Sequence, residues 1–98
     1  MDTQNSPPFD LGQVVATADA ALALARAKTQ PEELLDRHRS ADFGEVSEAD
    51  RQANLAAIKT GGRVVSSYLL PTGEVVLAVT KNGSTTLLTP AELDQPWE

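Results

Sequence analysis

The fold is indicated most strongly by one stretch near the carboxyl end, RVVSSYLLPTGEVVLAVTKNGSTTLL, residues 63–88. It contains three β-rich runs, at 63–70, 74–80 and 84–88, which are separated by short turn segments. Asn82-Gly83 is a strong hairpin signal because both residues tolerate positive φ. Gly73 suits the left-handed position of a three-residue loop at 71–73. The stretch therefore predicts three strands joined as a β-meander.

Both faces of this predicted meander are fairly apolar. Alternation along the second strand opposes two sets of side chains, Val75, Leu77 and Val79 against Val76, Ala78 and Thr80. A sheet with one solvated face usually alternates more cleanly between apolar and polar residues. Two explanations stay open. Either helices cover one face and an oligomer contact covers part of the other, or the solvated face is simply rich in Thr and Val.

The segment before the meander reads as one strand and three helices. Residues 11–17 are short, apolar and β-branched, which favours a fourth strand, although one helix over 11–28 is the alternative. Thr17 is a suitable N-cap for a helix that ends near Lys28. Helical spacing places four apolar residues of this helix on one face, Ala18, Ala21, Leu22 and Ala25.

Two further helices and a final helical turn are predicted from their end signals. Pro31 fits the first position of a second helix, whose inner side carries Leu34, Leu35 and His38. Ser47 is the expected N-cap of a third helix, which ends at Gly61-Gly62. Alanines line one side of that third helix, namely Ala49, Ala53, Ala56 and Ala57. Thr89-Pro90 opens the last turn.

These elements predict an α+β domain in which three short helices pack on a three- or four-stranded, mainly antiparallel sheet that ends in a β-meander. We expect a disordered arm at 1–10, one domain at 11–93 and a tail at 94–98. Phe9 is placed to hold the arm against the domain, and Trp97 of the tail either packs back or marks a contact. Open sheet edges favour self-pairing, so a homodimer is one expected arrangement.

The composition excludes several classes of protein. The 98-residue chain has no Cys, so apolar burial or an oligomer interface must stabilise it. It lacks both the basic start and apolar run of a signal peptide and any apolar stretch of about 20 residues. We therefore expect a cytoplasmic protein with no membrane partner.

The charge is acidic and unevenly distributed. Net charge is −6, and residues 32–50 carry seven acids against Arg37 and Arg39. This balance disfavours direct nucleic-acid binding, which depends on Lys and Arg at phosphates. The acidic segment is either a surface for a basic partner, or an imitation of nucleic acid, or an ordinary solvated face; the last reading is favoured.

No catalytic set of residues emerges from the sequence, and we expect no metal and no cofactor. The chain has a single histidine, His38, without a nucleophile or a pair of carboxylates in an obvious arrangement around it. The favoured interpretation of His38 is a half-buried residue at a helix end that hydrogen-bonds the following loop. An enzyme that uses His38 and nearby acids such as Asp42 is the less favoured alternative.

Six segments occur in a characteristic order: LGQVVAT at 11–17, ELLDRH at 33–38, DFGEV at 42–46, DRQAN at 50–54, RVVSSY at 63–68 and STTLLTPAE at 84–92. Together they resemble a family of small, "plasmid-related" proteins of bacterial plasmids and integrative elements. The family pattern has Arg-His and then Gly-Asp-Trp-Gly, where this chain has Arg37-His38 and 41–44 reads ADFG. Its third strand is usually entered through an acidic turn that contains Arg, where this chain has KNG at 81–83. The resemblance implies a mobile-element setting and no particular mechanism.

The matched polar and aromatic residues form the candidate interaction patch: Arg37, His38, Asp42, Phe43 and Asn54. The favoured interpretation gives several of them structural roles. Asp42 would bind backbone amides, Phe43 would fill the seam between helices and sheet, and Asn54 would bond a loop. We expect a non-enzymatic accessory or regulatory protein that acts by binding another protein. A nucleic-acid-associated regulator and a small enzyme are the alternatives.

Overall fold

A four-stranded mixed sheet forms the centre of the molecule, in a computed structural model that describes residues 9–93. Its strands are β1 (Gln13–Ala16), β2 (Val64–Leu69), β3 (Val75–Lys81) and β4 (Ser84–Leu88), in the spatial order β1-β4-β3-β2. The β2–β3 and β3–β4 pairs are antiparallel, whereas β1 runs parallel to β4. The helices are α1 (Ala18–Ala27), α2 (Pro31–Arg39), α3 (Glu48–Thr60) and α4 (Pro90–Leu93). The predicted α+β class is confirmed.

The segment at 11–17 forms the fourth strand and not the start of a long helix. Thr17 separates β1 from α1, because its backbone amide donates to the Leu87 carbonyl and its Oγ1 accepts the Ala20 amide at 3.1 Å. Gly12 precedes the strand at φ +66°, where an added Cβ would lie 2.0 Å from the Gly83 carbonyl oxygen. A glycine is therefore required where the chain enters the sheet.

The predicted turns are confirmed by their backbone angles. Asn82 and Gly83 have φ of 53° and 80°, which is the pairing of positive values that a two-residue hairpin requires. Gly73 has φ 92° in the β2–β3 connection. Most of the arm predicted at 1–10 and all of the tail predicted at 94–98, including Trp97, lie outside the described residues. Phe9 is described, and its ring meets the His38 ring edge-on, with centroids 5.2 Å apart.

Helices cover parts of both faces of the sheet. On one face, α1 and α2 bury a cluster of Ala20, Ala23, Leu24, Leu34, Tyr68, Leu70, Val76, Ala78 and Leu87. On the other face, Leu93 of α4 packs against Leu77, Val79 and Leu88. Two buried faces explain why the meander is apolar on both sides. The third helix, α3, lies along β2.

The apolar faces that helical spacing selects on α1 and α3 are the solvent-exposed ones. On α1 the structure buries Ala20, Ala23 and Leu24, and it exposes Ala18, Ala21, Leu22 and Ala25. On α3 it buries Asn54, while Ala49, Ala53 and Ala56 are exposed and only Ala57 of the four alanines is half-buried. Alanine occurs on every side of these helices, so its spacing does not distinguish the inner face from the outer one.

Candidate functional site

The structure divides the five residues of the predicted patch into an exposed pair and three buried residues. Arg37 and Asp42 are exposed, and Arg37 Nε donates to Asp42 Oδ2 at 2.8 Å. The Arg37 guanidinium also lies 4.7 Å from the centre of the Tyr68 ring, which is cation–π geometry. Of the patch, only this pair remains accessible to another molecule.

Hydrogen bonds to Tyr68 and Gly44 hold Asp42 of the exposed pair in position. The Tyr68 hydroxyl donates to the Asp42 carbonyl oxygen at 2.6 Å, and burial raises the pKa of Tyr68 to about 12. The hydrogen bond from Arg37 lowers the pKa of the Asp42 carboxyl below its usual value. Asp42 Oδ1 also accepts the Gly44 amide at 3.3 Å, as the structural interpretation of this residue predicted.

His38 is completely buried, which corrects the expectation of a half-buried residue that bonds the following loop. Its Nδ1 lies 2.6 Å from Ser66 Oγ on β2, and its Nε2 lies 2.9 Å from Thr80 Oγ1 on β3. Asp42, the acid proposed to act with it, is paired with Arg37 at the surface. The histidine therefore joins α2 to the middle of the sheet.

The hydrogen-bond chain beyond His38 determines which ring nitrogen carries the proton. Thr85 Oγ1 donates to the Leu11 carbonyl at 2.7 Å, so its only proton is used there. Thr80 Oγ1, 2.6 Å from Thr85 Oγ1, must therefore donate to Thr85 and accept from His38 Nε2. Complete burial disfavours the charged form of His38, so the ring is neutral and Nδ1 accepts from the Ser66 hydroxyl. Consistent with this, burial lowers the pKa of His38 to about 4.

Phe43 and Asn54 close the outer edge of β2. Asn54 Nδ2 donates to the Val65 carbonyl at 2.8 Å, and the Val65 amide donates to Asn54 Oδ1 at 3.0 Å. One step along the edge, the Ser67 amide donates to the Phe43 carbonyl at 2.9 Å, and the Glu45 amide donates to the Ser67 carbonyl at 2.7 Å. The expected seam-filling role of Phe43 agrees with its burial. Asn54 bonds a strand where a loop was expected.

The outer edge of β1 has no such cover among the described residues. The amides of Gln13 and Thr17 donate towards β4, so alternation turns the backbone groups of Val14 and Ala16 away from the sheet. No described residue bonds these outward groups, and every residue of β1 is exposed. Val14 and Val15 remain 39% and 49% exposed on opposite faces of the strand. This bare edge is a recognised type of protein-binding surface.

A shallow cavity lies beside the bare edge. It has a volume of about 400 Å³ and is lined by Ala16 of β1, by Ala21 and Ala25 of α1, and by the connection between α1 and α2. Its lining is mainly small and apolar. A chain that extends the sheet beyond β1 would carry its side chains past this cavity.

Residues 9–93 offer neither a metal site nor a membrane-spanning helix. No group of three or more His, Cys, Asp or Glu side chains in that range is arranged to hold a metal ion. Within the same range, no helix combines the length and apolarity needed to cross a bilayer. No family model, no curated protein and no solved structure matches this chain.

The sequence did not point to the residues that define the bare edge and the buried chain. Local patterns identify Val14 and Val15 only as strand formers, and Ser66, Thr80 and Thr85 only as members of predicted strands. One signal was present for the edge: β1 contains no charged residue and no proline, the features that usually protect an edge strand. For the buried chain, the signal was a row of hydroxyl residues on inward positions of neighbouring strands.

Proposed function

We propose that this protein is a non-enzymatic accessory protein that binds another protein by accepting an extended segment of it along the outer edge of β1. The observation that carries the proposal is the difference between the two edges of the sheet. Side-chain and main-chain groups of the protein itself close β2 at Val65 and Ser67, while β1 presents exposed valines and backbone groups that no residue within 9–93 pairs. Strand addition uses such backbone groups for affinity and neighbouring side-chain positions for specificity.

The burial of His38 supports the non-enzymatic part of the proposal. Both of its ring nitrogens are engaged by hydroxyls within the core, and its solvent exposure is 0%. A general base must lie within hydrogen-bonding reach of a substrate proton. The acidic net charge of −6 disfavours the nucleic-acid alternative. The mobile-element setting rests on the sequence resemblance alone, and the cytoplasmic setting on the composition.

The proposal is tested by photo-crosslinking in the cells that encode the protein. A photoreactive amino acid at position 15 should capture one reproducible partner, because it lies on the bare edge. The matched control places the same amino acid at position 69, since Leu69 is 59% exposed on β2, the strand whose edge is closed at Val65 and Ser67.

A second variant tests the mode of binding. Adding Ala16→Pro to the position-15 probe removes an outward backbone donor while leaving the amides that face β4 in place. The adduct with the other protein should then fall at least tenfold. Equal capture from positions 15 and 69, or capture that Ala16→Pro leaves unchanged, contradicts strand addition at β1.

A further inference from the structure

We infer that the bare edge of β1 pairs antiparallel with the same edge of a second copy, so that two four-stranded sheets join into one mixed eight-stranded sheet. The inference rests on the proposed function in one respect, namely that β1 is a binding edge. It adds that a second copy occupies this edge when no other protein is bound. It also adds a form of regulation, because the strand of another protein must displace that copy in order to bind.

Self-complementarity of the backbone supports a second copy as the occupant. The outward groups belong to Val14 and Ala16, which stand on either side of Val15. A two-fold axis at Val15 therefore places each Val14 opposite the Ala16 of the other copy. In an antiparallel pair, such opposed residues exchange both of their backbone hydrogen bonds. All four outward groups of each copy are satisfied by this single register.

The same register pairs the side chains favourably. Val15 meets the Val15 of the other copy directly, as a non-hydrogen-bonded pair whose side chains lie close together. Val14 lies beside the other copy's Ala16 on the face covered by α1, where Ala16 lines the 400 Å³ cavity. Each copy thus covers the exposed valines of the other. No like charges meet within the strand, because β1 has no charged residue.

The inference predicts a weak, reversible dimer. An interface centred on four strand residues is smaller than a standard interface of about 1,600 Å². We therefore expect a mass near 10.4 kDa at about 1 µM and near twice that value at about 200 µM in sedimentation equilibrium. Val15→Lys places two like charges at the axis and should weaken dimerisation at least tenfold. Leu69→Lys, the matched control on the opposite edge strand β2, should leave dimerisation unchanged.

Cysteine crosslinking tests the register in the same protein. The chain has no cysteine, so Val15→Cys introduces a single thiol. Opposed Cβ atoms of a non-hydrogen-bonded pair approach the separation that a disulfide requires. Val15→Cys should oxidise to a covalent dimer at least tenfold faster than Leu69→Cys.

The outcomes separate this inference from the proposed function. A strictly monomeric mass at every concentration, or equal oxidation rates for the two cysteine variants, overturns self-pairing. Capture of another protein from position 15 by a chain that stays monomeric leaves the proposed function standing and removes the second copy. A dimer that follows these expectations, with only self-adducts in cells, supports self-pairing and contradicts the proposed function.

Discussion

At the scale of single residues, His38 shows how a side chain that suggests chemistry is used for structure. It is the only histidine in the chain and lies among acidic residues, which makes it the natural candidate for a catalytic base. The core instead surrounds it with two hydroxyls and the Phe9 ring. Its neutral form is favoured there because burial disfavours the charged ring, and with Nε2 donating to Thr80 the remaining nitrogen, Nδ1, is the acceptor.

The burial of His38 predicts a defined loss of stability in mild acid. The unfolded chain takes up a proton near the ordinary pKa of 6.5, whereas the folded protein keeps His38 neutral down to about pH 4. Between these values the unfolded state binds more protons, so the free energy of unfolding falls as the pH falls, by up to about 3 kcal/mol. Well above pH 6.5 the histidine contributes no pH dependence, because it is neutral in both states. Urea unfolding at a series of pH values measures the slope.

A variant isolates the contribution of the histidine from that of the carboxylates. His38→Gln keeps one donor and one acceptor but does not titrate in this range. Its stability should therefore change less between pH 6.5 and pH 4 than that of the original protein. The same slope in both proteins would assign the acid sensitivity to the carboxylates, such as Asp42 and Glu74, whose pKa values their arginine partners lower.

At the scale of elements, the two edges of the sheet are treated differently. The β2 edge is covered by a side-chain amide and by the 43–45 segment, which forms a parallel bridge at Gly44 and Ser67. The β1 edge depends on its attachment to β4 and has nothing outside it among the described residues. Its attachment requires a glycine at position 12, because the Gly83 carbonyl occupies the space that a Cβ at this position would need.

Replacing Gly12 by alanine should therefore detach β1. The new Cβ would lie 2.0 Å from the Gly83 carbonyl oxygen, which forces backbone movement, in addition to the cost of positive φ. We expect a loss of about 2 to 4 kcal/mol in the free energy of unfolding. Hydrogen exchange at the Gln13 and Thr17 amides, which donate to β4, should accelerate.

Gly73→Ala is the matched control for this substitution. Gly73 also has positive φ, but an added Cβ there meets nothing within 4 Å. Only the conformational cost of about 1 kcal/mol applies. Equal losses in the two variants would show that the contact with Gly83 does not hold β1 in place.

At the scale of the whole molecule, one hydrogen-bond chain connects elements that are distant in sequence. It runs from Ser66 through His38, Thr80 and Thr85 to the Leu11 carbonyl, and so links β2, α2, β3, β4 and the segment before β1. Each hydroxyl in it uses its single proton. The loss of one member leaves buried neighbours without partners, which is costlier than the loss of a surface bond.

Thr85→Val tests this connection. The substitution keeps the shape of the side chain but leaves the Thr80 hydroxyl without an acceptor and the Leu11 carbonyl without a donor. We expect a loss of about 1 to 3 kcal/mol in the free energy of unfolding, measured by denaturant titration. The neighbouring Thr86→Val is the control, because Thr86 is half-buried and its side chain makes no hydrogen bond with the described residues. It should change stability by less than about 0.5 kcal/mol. Similar losses in both variants would show that the buried hydrogen-bond chain does not stabilise the fold.

Local sequence signals predict most elements of this protein and their ends. Turn glycines, the Asn82-Gly83 hairpin, the Thr17 and Ser47 caps and Pro31 act over four or five residues, so they are legible without any tertiary information. The α+β class followed from their order. The strand at 11–17 followed from its β-branched composition.

Only the tertiary structure decided which surfaces those elements bury. The inner faces of α1 and α3, the position of β1 beside β4 and the cover over β2 depend on partners tens of residues away. Alanine packs on either side of a helix, and a short apolar strand fits either the centre or the edge of a sheet. Local pattern therefore does not distinguish these alternatives, and the long-range pairing that does so also left β1 exposed and His38 buried.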